Sequence, residues 1–212
     1  MMRGHHARAR EGIVKRTMAI MRIVPALLFF VTTAHAEPTW IHAELDPLTF
    51  ANSGYGGQVG FRLPQLAGVR LAVASFSLHV PDRISQLNGN GGFDEKIEPS
   101  GAFYALYYFG APGENGFVVG ASFRILKLSI TRDDTAKTAA TEARVIEISP
   151  EAIVGYQWHP FPVSAPGFYL QPWLGLGVDV WKNHEAIVGG KQYNELPIDP
   201  FFTVNLGYEQ PL

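Results

Sequence analysis

FYLQPWLGLGVDV, residues 168–180, alternates strictly between two kinds of side chain. One alternate set is entirely apolar: Phe168, Leu170, Pro172, Leu174, Leu176, Val178 and Val180. The other set, from Tyr169 to Asp179, mixes polar and aromatic side chains with glycines. A period of two predicts a β-strand, because successive side chains of a strand point to opposite faces. The stretch is therefore expected to form a strand with one wholly apolar face.

Seven further runs alternate in the same way. Together the eight runs lie at about 40–48, 54–63, 69–80, 100–109, 117–131, 144–158, 168–182 and 198–208. The connections are compact and rich in Pro and Gly at 64–68, 110–116 and 159–167, and longer and more polar at 81–99, 132–143 and 183–197. Short and long connections that alternate predict an all-β, up-and-down antiparallel barrel of about eight strands, with its long loops at one end.

The first 36 residues have the pattern of a secretory signal peptide. Basic residues precede an apolar run at 23–31, and Ala34-His35-Ala36 supplies a cleavage pattern. Met18 and Met21 are alternative starts, so residues 1–17 are suspected not to be translated. An amphipathic N-terminal anchor is the other interpretation, although nine apolar residues are fewer than the ~20 of a spanning helix. We expect a mature barrel domain at 37–212.

The composition of the remaining 176 residues restricts the possible functions. They carry 11 Lys/Arg and 18 Asp/Glu, a net charge of −7, and no basic stripe for nucleic acid. The absence of cysteine excludes disulfides and thiolate metal sites. No cofactor is predicted. Charged residues make up 17% of the chain, below the ~25% of a soluble domain, so part of the surface is expected not to face water.

Two closed barrels could carry this alternation: a soluble, lipocalin-like barrel with an apolar interior, or a membrane barrel with an apolar exterior. The polar face is rich in glycine and poor in lysine, which suits a cramped interior. Aromatic residues also occupy the apolar parity at one end of the strands, as in an interfacial girdle. These residues are Phe61, Phe109, Phe117, Tyr156, Trp158, Phe168 and Tyr208. The pattern favours a transmembrane barrel with short periplasmic turns and longer extracellular loops.

The mature chain resembles the small eight-stranded bacterial outer-membrane barrels of the OmpA N-terminal, OmpX, OmpW and opacity-protein types. The resemblance rests on residues 169–178, YLQPWLGLGV, on Gly155-Tyr156 and on the strand ending at Tyr208. The sequence departs from the pattern at its end, because Glu209-Gln210-Pro211-Leu212 follow the aromatic residue. The resemblance implies an outer-membrane location, contact with membrane lipid and lipopolysaccharide, and assembly by the barrel-insertion machinery, as a monomer.

Charged residues on strands five and six are candidates for a polar network inside the barrel. The apolar parity of strand five changes after Phe123, which predicts a β-bulge near residues 125–126. With that bulge Arg124 and Lys127 face inward, Lys127 lies opposite Glu147 and Arg124 lies close to Glu151. Asp179 on strand seven is next to them. We expect these charges to be paired, since an unpaired charge in a narrow barrel is costly; a conducting path through them is the alternative.

His42, Glu44 and Asp46 share one face of the first strand. A nitrogen and two oxygens in this arrangement could bind a divalent metal ion. One strand rarely completes a metal site, however, and Arg62 on the next strand is a nearby cation. We therefore expect these residues to pair with Arg62 in the interior, and we predict no metal.

Ser75, Ser77 and His79 share one face of strand three and are the only residues that suggest catalysis. A serine and a histidine could act on lipid acyl chains, but no acid is obviously placed to orient the imidazole. The acids of the long loops are expected to be solvated, with contact to the divalent cations of the lipopolysaccharide layer, or to a host or phage ligand, as the alternative. These acids are Asp82, Asp94, Glu95, Glu98, Asp133, Asp134 and Glu142.

Four functions remain open at this point. The first, which we favour, is a non-enzymatic structural barrel that displays loops. The second is a narrow channel for small apolar molecules, with an opening lined by Phe76, Leu78, Val80 or the tyrosines of strand four. The third is an enzyme that modifies lipid A, with His79 and Ser77 in its site. The fourth is a soluble, periplasmic, lipocalin-like binding barrel.

Overall fold

The computed structural model describes residues 38–63, 66, 68–81, 86, 89–132, 141–161, 167–194 and 198–212. The predicted signal peptide and loop residues Asp82, Asp133 and Asp134 lie outside these ranges. Within them, no helix is long and apolar enough to cross a membrane.

Eight long antiparallel strands form one closed barrel, and three strands of two residues each lie in the connection before the last long strand. In chain order the strands are β1 (Trp40–Leu45), β2 (Tyr55–Arg62), β3 (Val69–His79), β4 (Phe93–Phe109), β5 (Gly116–Arg132), β6 (Glu142–Gln157), β7 (Gly167–Gly177), β8 (Trp181–Lys182), β9 (Ile187–Val188), β10 (Lys191–Gln192) and β11 (Asp199–Pro211). Long strands that are consecutive in sequence are neighbours, and β11 pairs with β1 to close the barrel. The predicted fold class is confirmed.

The connection between β1 and β2 contains a one-turn helix that the alternation did not predict. Helix α1 (Pro47–Ala51) begins where β1 ends, because Asp46 caps it: the carboxylate accepts a hydrogen bond from the Leu48 amide at 2.9 Å. Pro47 in the first turn of the helix has no N–H to satisfy, as is usual at this position. β1 is therefore only six residues long.

Strand β5 has no bulge, and this corrects the sequence prediction. Its ladder to β6 runs without a break from Gly116 to Thr131, and burial alternates regularly along it. Register shifts occur instead between Phe76 and Leu78 on β3 and between Ile97 and Gly101 on β4. The side chains of Arg124 and Leu126 therefore both point into the barrel.

The parity change in the sequence reflects a change in what the barrel encloses. Around Leu126 the interior becomes apolar, and residues of the β8–β11 connection pack into it. This upper core consists of Leu126, Leu128, Ile130, Val145, Ala186, Val188 and Tyr193. We call residues 93–97, 126–132, 142–145 and 186–193 the upper region, and the rest of the barrel the lower region.

The exterior changes at the same level. Outward-facing Lys127, Arg144 and Lys96 are exposed in the upper region, together with Glu142. Arg144 donates a hydrogen bond to Glu142 at 2.7 Å, which lowers the pKa of this carboxyl group below its ordinary value. Just beyond, a hydrogen bond from Lys182 lowers the pKa of Glu185 in the same way. The upper region is therefore polar outside and apolar inside.

The exterior of the lower region is apolar. Among its exposed side chains are Leu174 at 59%, Leu176 at 58% and Val73 at 55%. This distribution is the opposite of a lipocalin-like barrel, whose apolar side chains face the interior.

Glycines on the inner face make room for large side chains. A Cβ atom on Gly207 would lie 2.2 Å from the Tyr169 ring, and one on Gly60 would lie 2.4 Å from the His42 ring. Because no side chain fits there, the glycine-rich face predicted from the sequence is the one that must face inward.

Candidate functional site

A single buried guanidinium, that of Arg70 on β3, organises the interior of the lower region. Its side chain is 1% exposed and lies 2.7 Å from Glu44 and 3.1 Å from Glu209. It also donates to Gln157 at 3.0 Å and to the Tyr169 hydroxyl at 3.0 Å. Five strands thus converge on one cation, since these residues belong to β1, β3, β6, β7 and β11.

Aromatic rings and amides complete this cluster, which we call the plug. The Arg70 guanidinium lies 4.0 Å from the centre of the Tyr108 ring, within cation–π range. The Tyr108 hydroxyl donates to Gln171 at 2.7 Å. Glu44 accepts further hydrogen bonds from Gln58, from Asn205 and from the Tyr169 hydroxyl.

The lower end of the plug is held by the turn that joins β4 and β5. The Gly113 amide donates to Glu209 at 2.8 Å, and the His159 ring lies 3.3 Å from the same carboxylate. The Asn115 side chain accepts from the His159 amide at 2.7 Å. The plug therefore fills the lumen as far as the short turns.

Above the plug lies a mainly apolar layer, and above that a second charged cluster. The apolar layer includes Tyr104 and Trp173, whose rings contact edge to face at 5.2 Å. In the charged cluster, Arg124 lies 2.5 Å from Glu151 and 2.5 Å from Asp199, and Ser122 donates to Glu151. The structure thus brings together Arg124 and Glu151, as the sequence analysis expected, and adds Asp199.

The other members of the predicted network are placed differently. Glu147 is buried opposite Leu126, near the boundary of the two regions. Asp179 lies beyond the end of β7, between two backbone hydrogen bonds that Val178 and Val180 make to β6. Lys127 faces outward and is exposed, so the prediction that it faces inward opposite Glu147 was wrong. The reason is the unbroken register of β5.

The three residues predicted on one face of β1 separate into two groups. His42 and Glu44 are buried in the lumen, whereas Asp46 caps helix α1. Glu44 pairs with Arg70 and not with Arg62, which instead lies 4.9 Å from the centre of the Tyr108 ring. Over the described ranges, no three His, Cys, Asp or Glu side chains are arranged to hold a metal ion.

The serine and histidine residues of β3 do not form a catalytic group. Ser75 is exposed on the outer face, and Ser77 donates its hydroxyl hydrogen to the Ile97 carbonyl at 2.9 Å. His79 lies on the surface, 3.8 Å from Asp94. At the register shift between Phe76 and Leu78 the extra residue belongs to β4, and Ser77 is buried there against the β4 backbone while Ser75 stays exposed.

The seven aromatic residues predicted as a girdle all lie on the outer face at the end of the short turns. Two pairs are in contact, Phe117 with Tyr156 at 5.2 Å and Phe168 with Tyr208 at 5.0 Å between ring centres. Phe61, Phe109 and Trp158 are exposed beside them. The structure thus places these side chains around one edge of the apolar exterior.

A second set of exposed aromatic residues borders the opposite edge. Each lies six positions along the strand from a girdle residue: Tyr55 from Phe61, Phe103 from Phe109, Phe123 from Phe117 and Phe202 from Tyr208. Six residues span about 20 Å along a strand. The apolar side chains of the lower region therefore lie in a band between these two circles of aromatic side chains.

A cavity of about 640 Å³ lies above the plug, beside helix α1. Its lining includes Phe76, Leu78 and Val80, which the sequence analysis assigned to an opening, and Tyr104 of β4. Arg124 and Asp199 contribute a charged wall. Of the other β4 tyrosines, Tyr108 belongs to the plug and Tyr107 is exposed on the outer face.

Sequence reasoning missed the residues at the centre of the plug. Arg70 stands at an end of its strand in the sequence, and Glu209 lies in the tail that departs from the outer-membrane pattern. The alternation of the run at 69–80 already places Arg70 on the inner face, and extending the run at 198–208 by one step would have placed Glu209 there as well. Their mutual pairing has no signal in the sequence, because they are 139 positions apart.

No protein-family model and no curated protein sequence matches this chain. Among solved structures, the N-terminal β-barrel domain of Pseudomonas aeruginosa OprF is similar with 16% identity and a TM-score of 0.49, covering 81% of this chain and 96% of that one. Neisserial surface protein A is similar with 13% identity and a TM-score of 0.47, covering 84% and 100%. A major outer membrane protein from Thermus thermophilus has 12% identity, a TM-score of 0.47 and coverage of 82% and 100%. The likeness to all three is one of fold alone.

Proposed function

We propose that the protein is an integral barrel of the bacterial outer membrane that has no catalytic role and holds a rigid scaffold from which its longer loops are displayed. One observation carries the proposal. The outer surface of the barrel is an apolar band between two circles of aromatic side chains, and Arg70 and its partners fill the interior. In this orientation the short turns face the periplasm and the upper region faces the cell exterior. Residues 1–36 would direct export and be removed.

The apolar band supports the membrane location. Apolar side chains such as Leu174 and Phe202 are more than half exposed, which costs free energy in water but stabilises a barrel in lipid. A band of this kind bordered by aromatic residues is typical of outer-membrane barrels. Closure of the sheet between β11 and β1 pairs the edge of β11 from Leu206 to Pro211, which reduces the cost of unpaired backbone groups in the hydrocarbon.

The plug supports a structural role over a conducting one. An eight-stranded barrel is just wide enough for side chains to fill it. Here Arg70, Tyr108 and Tyr169 occupy its centre, and all three are less than 5% exposed. A water-filled path from the upper region to the short turns would have to pass through these side chains.

The partners follow from the location. The exterior band would contact lipid, and the polar exterior of the upper region would contact lipopolysaccharide. Assembly would use the barrel-insertion machinery. We propose a monomer, since the barrel already closes within one chain.

The membrane location is tested by the electrophoretic mobility of the purified mature protein, boiled against unboiled, together with its far-ultraviolet circular dichroism. We expect a heat-dependent shift and a β spectrum. A protein that stays soluble in plain buffer and shows no shift would overturn the proposal.

The closed lumen is tested by ion conductance in planar bilayers. We expect no stepwise current from the wild-type barrel and measurable current from a double variant, Arg70→Ala with Tyr108→Ala, in which the plug is removed. Stepwise current from the wild type would show that the lumen is open and would contradict the structural role.

A further inference from the structure

The wall of the barrel has a gap beside the end of β1. β1 ends at Leu45, which pairs with Gly57 on one side and Leu206 on the other. β11 begins seven residues before Leu206, and over this part its ladder runs to β7 alone among the described residues. Helix α1 lies in the gap and contacts β2, β3 and β11. Here the wall is closed by packed side chains and not by strand hydrogen bonds.

The cavity above the plug extends into this gap. From the inside it is lined by Ala74, Phe76 and Trp173, and on the side of the gap by Leu48 and Thr49 of α1. Outward-facing residues also line it, namely Gly57, Ser75, Leu174 and Phe202. Because residues of both faces surround one cavity, the cavity opens laterally toward the apolar exterior.

A groove on the outer face leads to the same place. It has a volume of about 600 Å³ and is bordered by apolar side chains of five strands, among them Ala43, Val59, Val73, Phe168 and Leu206. The groove and the cavity share Gly57, Gln58, Ala74 and Ser75. These four residues are paired across the β2–β3 ladder, so the groove and the cavity lie on the two sides of the same part of the wall, next to the gap.

Polar atoms in the cavity are left without partners. Within the described part of the chain, the Trp173 Nε1, Thr203 Oγ1 and Gln58 Oε1 atoms are buried and have no hydrogen-bond partner. The residues are 2%, 8% and 7% exposed. Buried polar groups are normally hydrogen-bonded, so each such group requires an explanation. Trp173 and Thr203 are directly opposite each other on β7 and β11, and an indole N–H beside a hydroxyl matches a ligand oxygen that can both accept and donate.

The charges of the cavity argue for an uncharged ligand. Arg124 is its buried cation, and this guanidinium already lies 2.5 Å from both Glu151 and Asp199. An anionic headgroup would meet two carboxylates, and a cationic one would meet the guanidinium. A hydroxyl or carbonyl group avoids both repulsions.

We propose that the gap and the cavity form a lateral binding site for an uncharged single-chain amphiphile from the membrane. The chain would lie in the outer groove and the gap, and its terminal oxygen would reach Trp173 and Thr203. The volume is within the range of small-molecule sites, about 300–1,000 Å³. This inference rests on the membrane location proposed above and adds a ligand to it.

Trp173 itself can report binding. The other tryptophans, Trp40, Trp158 and Trp181, are replaced by phenylalanine, and the barrel is placed in lipid nanodiscs. A long-chain alcohol with a bromine atom is the probe, because bromine quenches indole fluorescence on contact. We expect quenching that saturates with probe concentration. Quenching that only rises in proportion to the probe in the bilayer would overturn the site.

Two variants, each of which replaces an alanine with phenylalanine, locate the site. Ala74→Phe fills the cavity from β3 and should abolish saturable quenching. Ala121→Phe places the same side chain on the exposed outer face of β5, away from both cavity and groove, and should leave the quenching unchanged. Saturable quenching that survives Ala74→Phe in a folded barrel would overturn the proposal.

Thr203→Val tests the polar end of the site. It also keeps the binding site testable if the Ala74→Phe variant does not fold. Loss of one hydrogen bond should weaken the affinity for the bromo-alcohol about fivefold, and leave the affinity for the matching bromo-alkane unchanged. Equal affinity of the alcohol for both proteins would contradict the assigned contact. Heat-dependent mobility is measured for every variant: its absence in the parent protein would reject the membrane location, whereas its presence without saturable quenching rejects only the binding site.

Discussion

The lower and upper regions of the barrel are built from the same strands with opposite polarity. On β5, Val119 and Phe123 face outward in the lower region and Arg124 faces inward. Further along the same strand, Lys127 faces outward and Leu128 inward. The backbone alternation continues unchanged through this reversal, as does the ladder to β6.

The difference teaches that polarity along a strand follows the solvent and not the register. At the proposed membrane location the exterior of the lower region would be in lipid, which accounts for apolar side chains outside and paired charges inside. The exterior of the upper region would be in water, which accounts for strands that enclose an apolar core as a soluble protein does. A reversal of the apolar parity can therefore mark a change of solvent as well as a bulge.

The largest effect is expected from breaking the core of the lower region. Arg70→Ala leaves the carboxylates of Glu44 and Glu209 buried without their cation. Removing one partner of a buried ion pair costs about 3–5 kcal/mol. We expect the free energy of unfolding, measured with urea in lipid vesicles, to fall by this amount. A loss below about 1 kcal/mol would mean that water or rearranged side chains replace Arg70.

Breaking the apolar core of the upper region should be less damaging and confined to that region. Leu128→Ala creates a cavity among Ile130, Val145 and Val188, at a cost of about 2–4 kcal/mol. Amide hydrogen exchange should increase at residues 186–193 and stay unchanged at Arg70 and its partners. Equal loss of protection in both regions would show that they unfold as one unit.

The boundary between the two regions can be located with outward-facing lysines on β5. Val119→Lys places a charge in the apolar band and should destabilise the barrel by about 2 kcal/mol, as lysine does on lipid-facing positions. Thr131→Lys is also outward-facing but lies in the upper region, opposite Glu142, and should change stability by less than about 0.5 kcal/mol. Similar costs at both positions would place the boundary elsewhere.

The smallest effect is expected at the half-exposed end of the second charged cluster. Asp199→Asn removes a partner of Arg124 whose side chain is 43% exposed, and should cost about 0.5 kcal/mol. Glu151→Gln removes its fully buried partner and should cost about 2 kcal/mol. Thermal unfolding of the two variants in the same detergent compares them. The reverse order would mean that Asp199 is the main counter-ion of Arg124.

The sequence could predict most of the fold because the alternation is local. Each of the eight runs overlaps one long strand, although β4 already begins at Phe93, inside the predicted loop 81–99, and β1 ends at Leu45. The apolar face that begins at Phe168 is the outer face of β7. The gap beside β1 could not be predicted in the same way. It depends on Asp46 and Pro47 ending one strand early while β11 continues, and neither strand shows this in its own pattern.

The charged residues were predicted less well than the strands. Arg124 and Glu151 could be paired from a hairpin, since they lie on adjacent strands. Arg70 could not be paired with Glu209, because β3 and β11 are not neighbours in the sheet and meet only across the lumen. Lys127 was misplaced because a parity reversal looks the same whether a bulge or a change of solvent causes it.

By itself, the sequence determined the strands, their faces and the closed antiparallel barrel, because these follow from local alternation and from the lengths of the connections. Only the tertiary structure decided which charges meet in the plug, that the parity reversal of β5 is a change of interior and not a bulge, and where the barrel wall opens beside helix α1. These features depend on contacts across the lumen between strands far apart in the chain, and such contacts leave no periodic signal in the sequence.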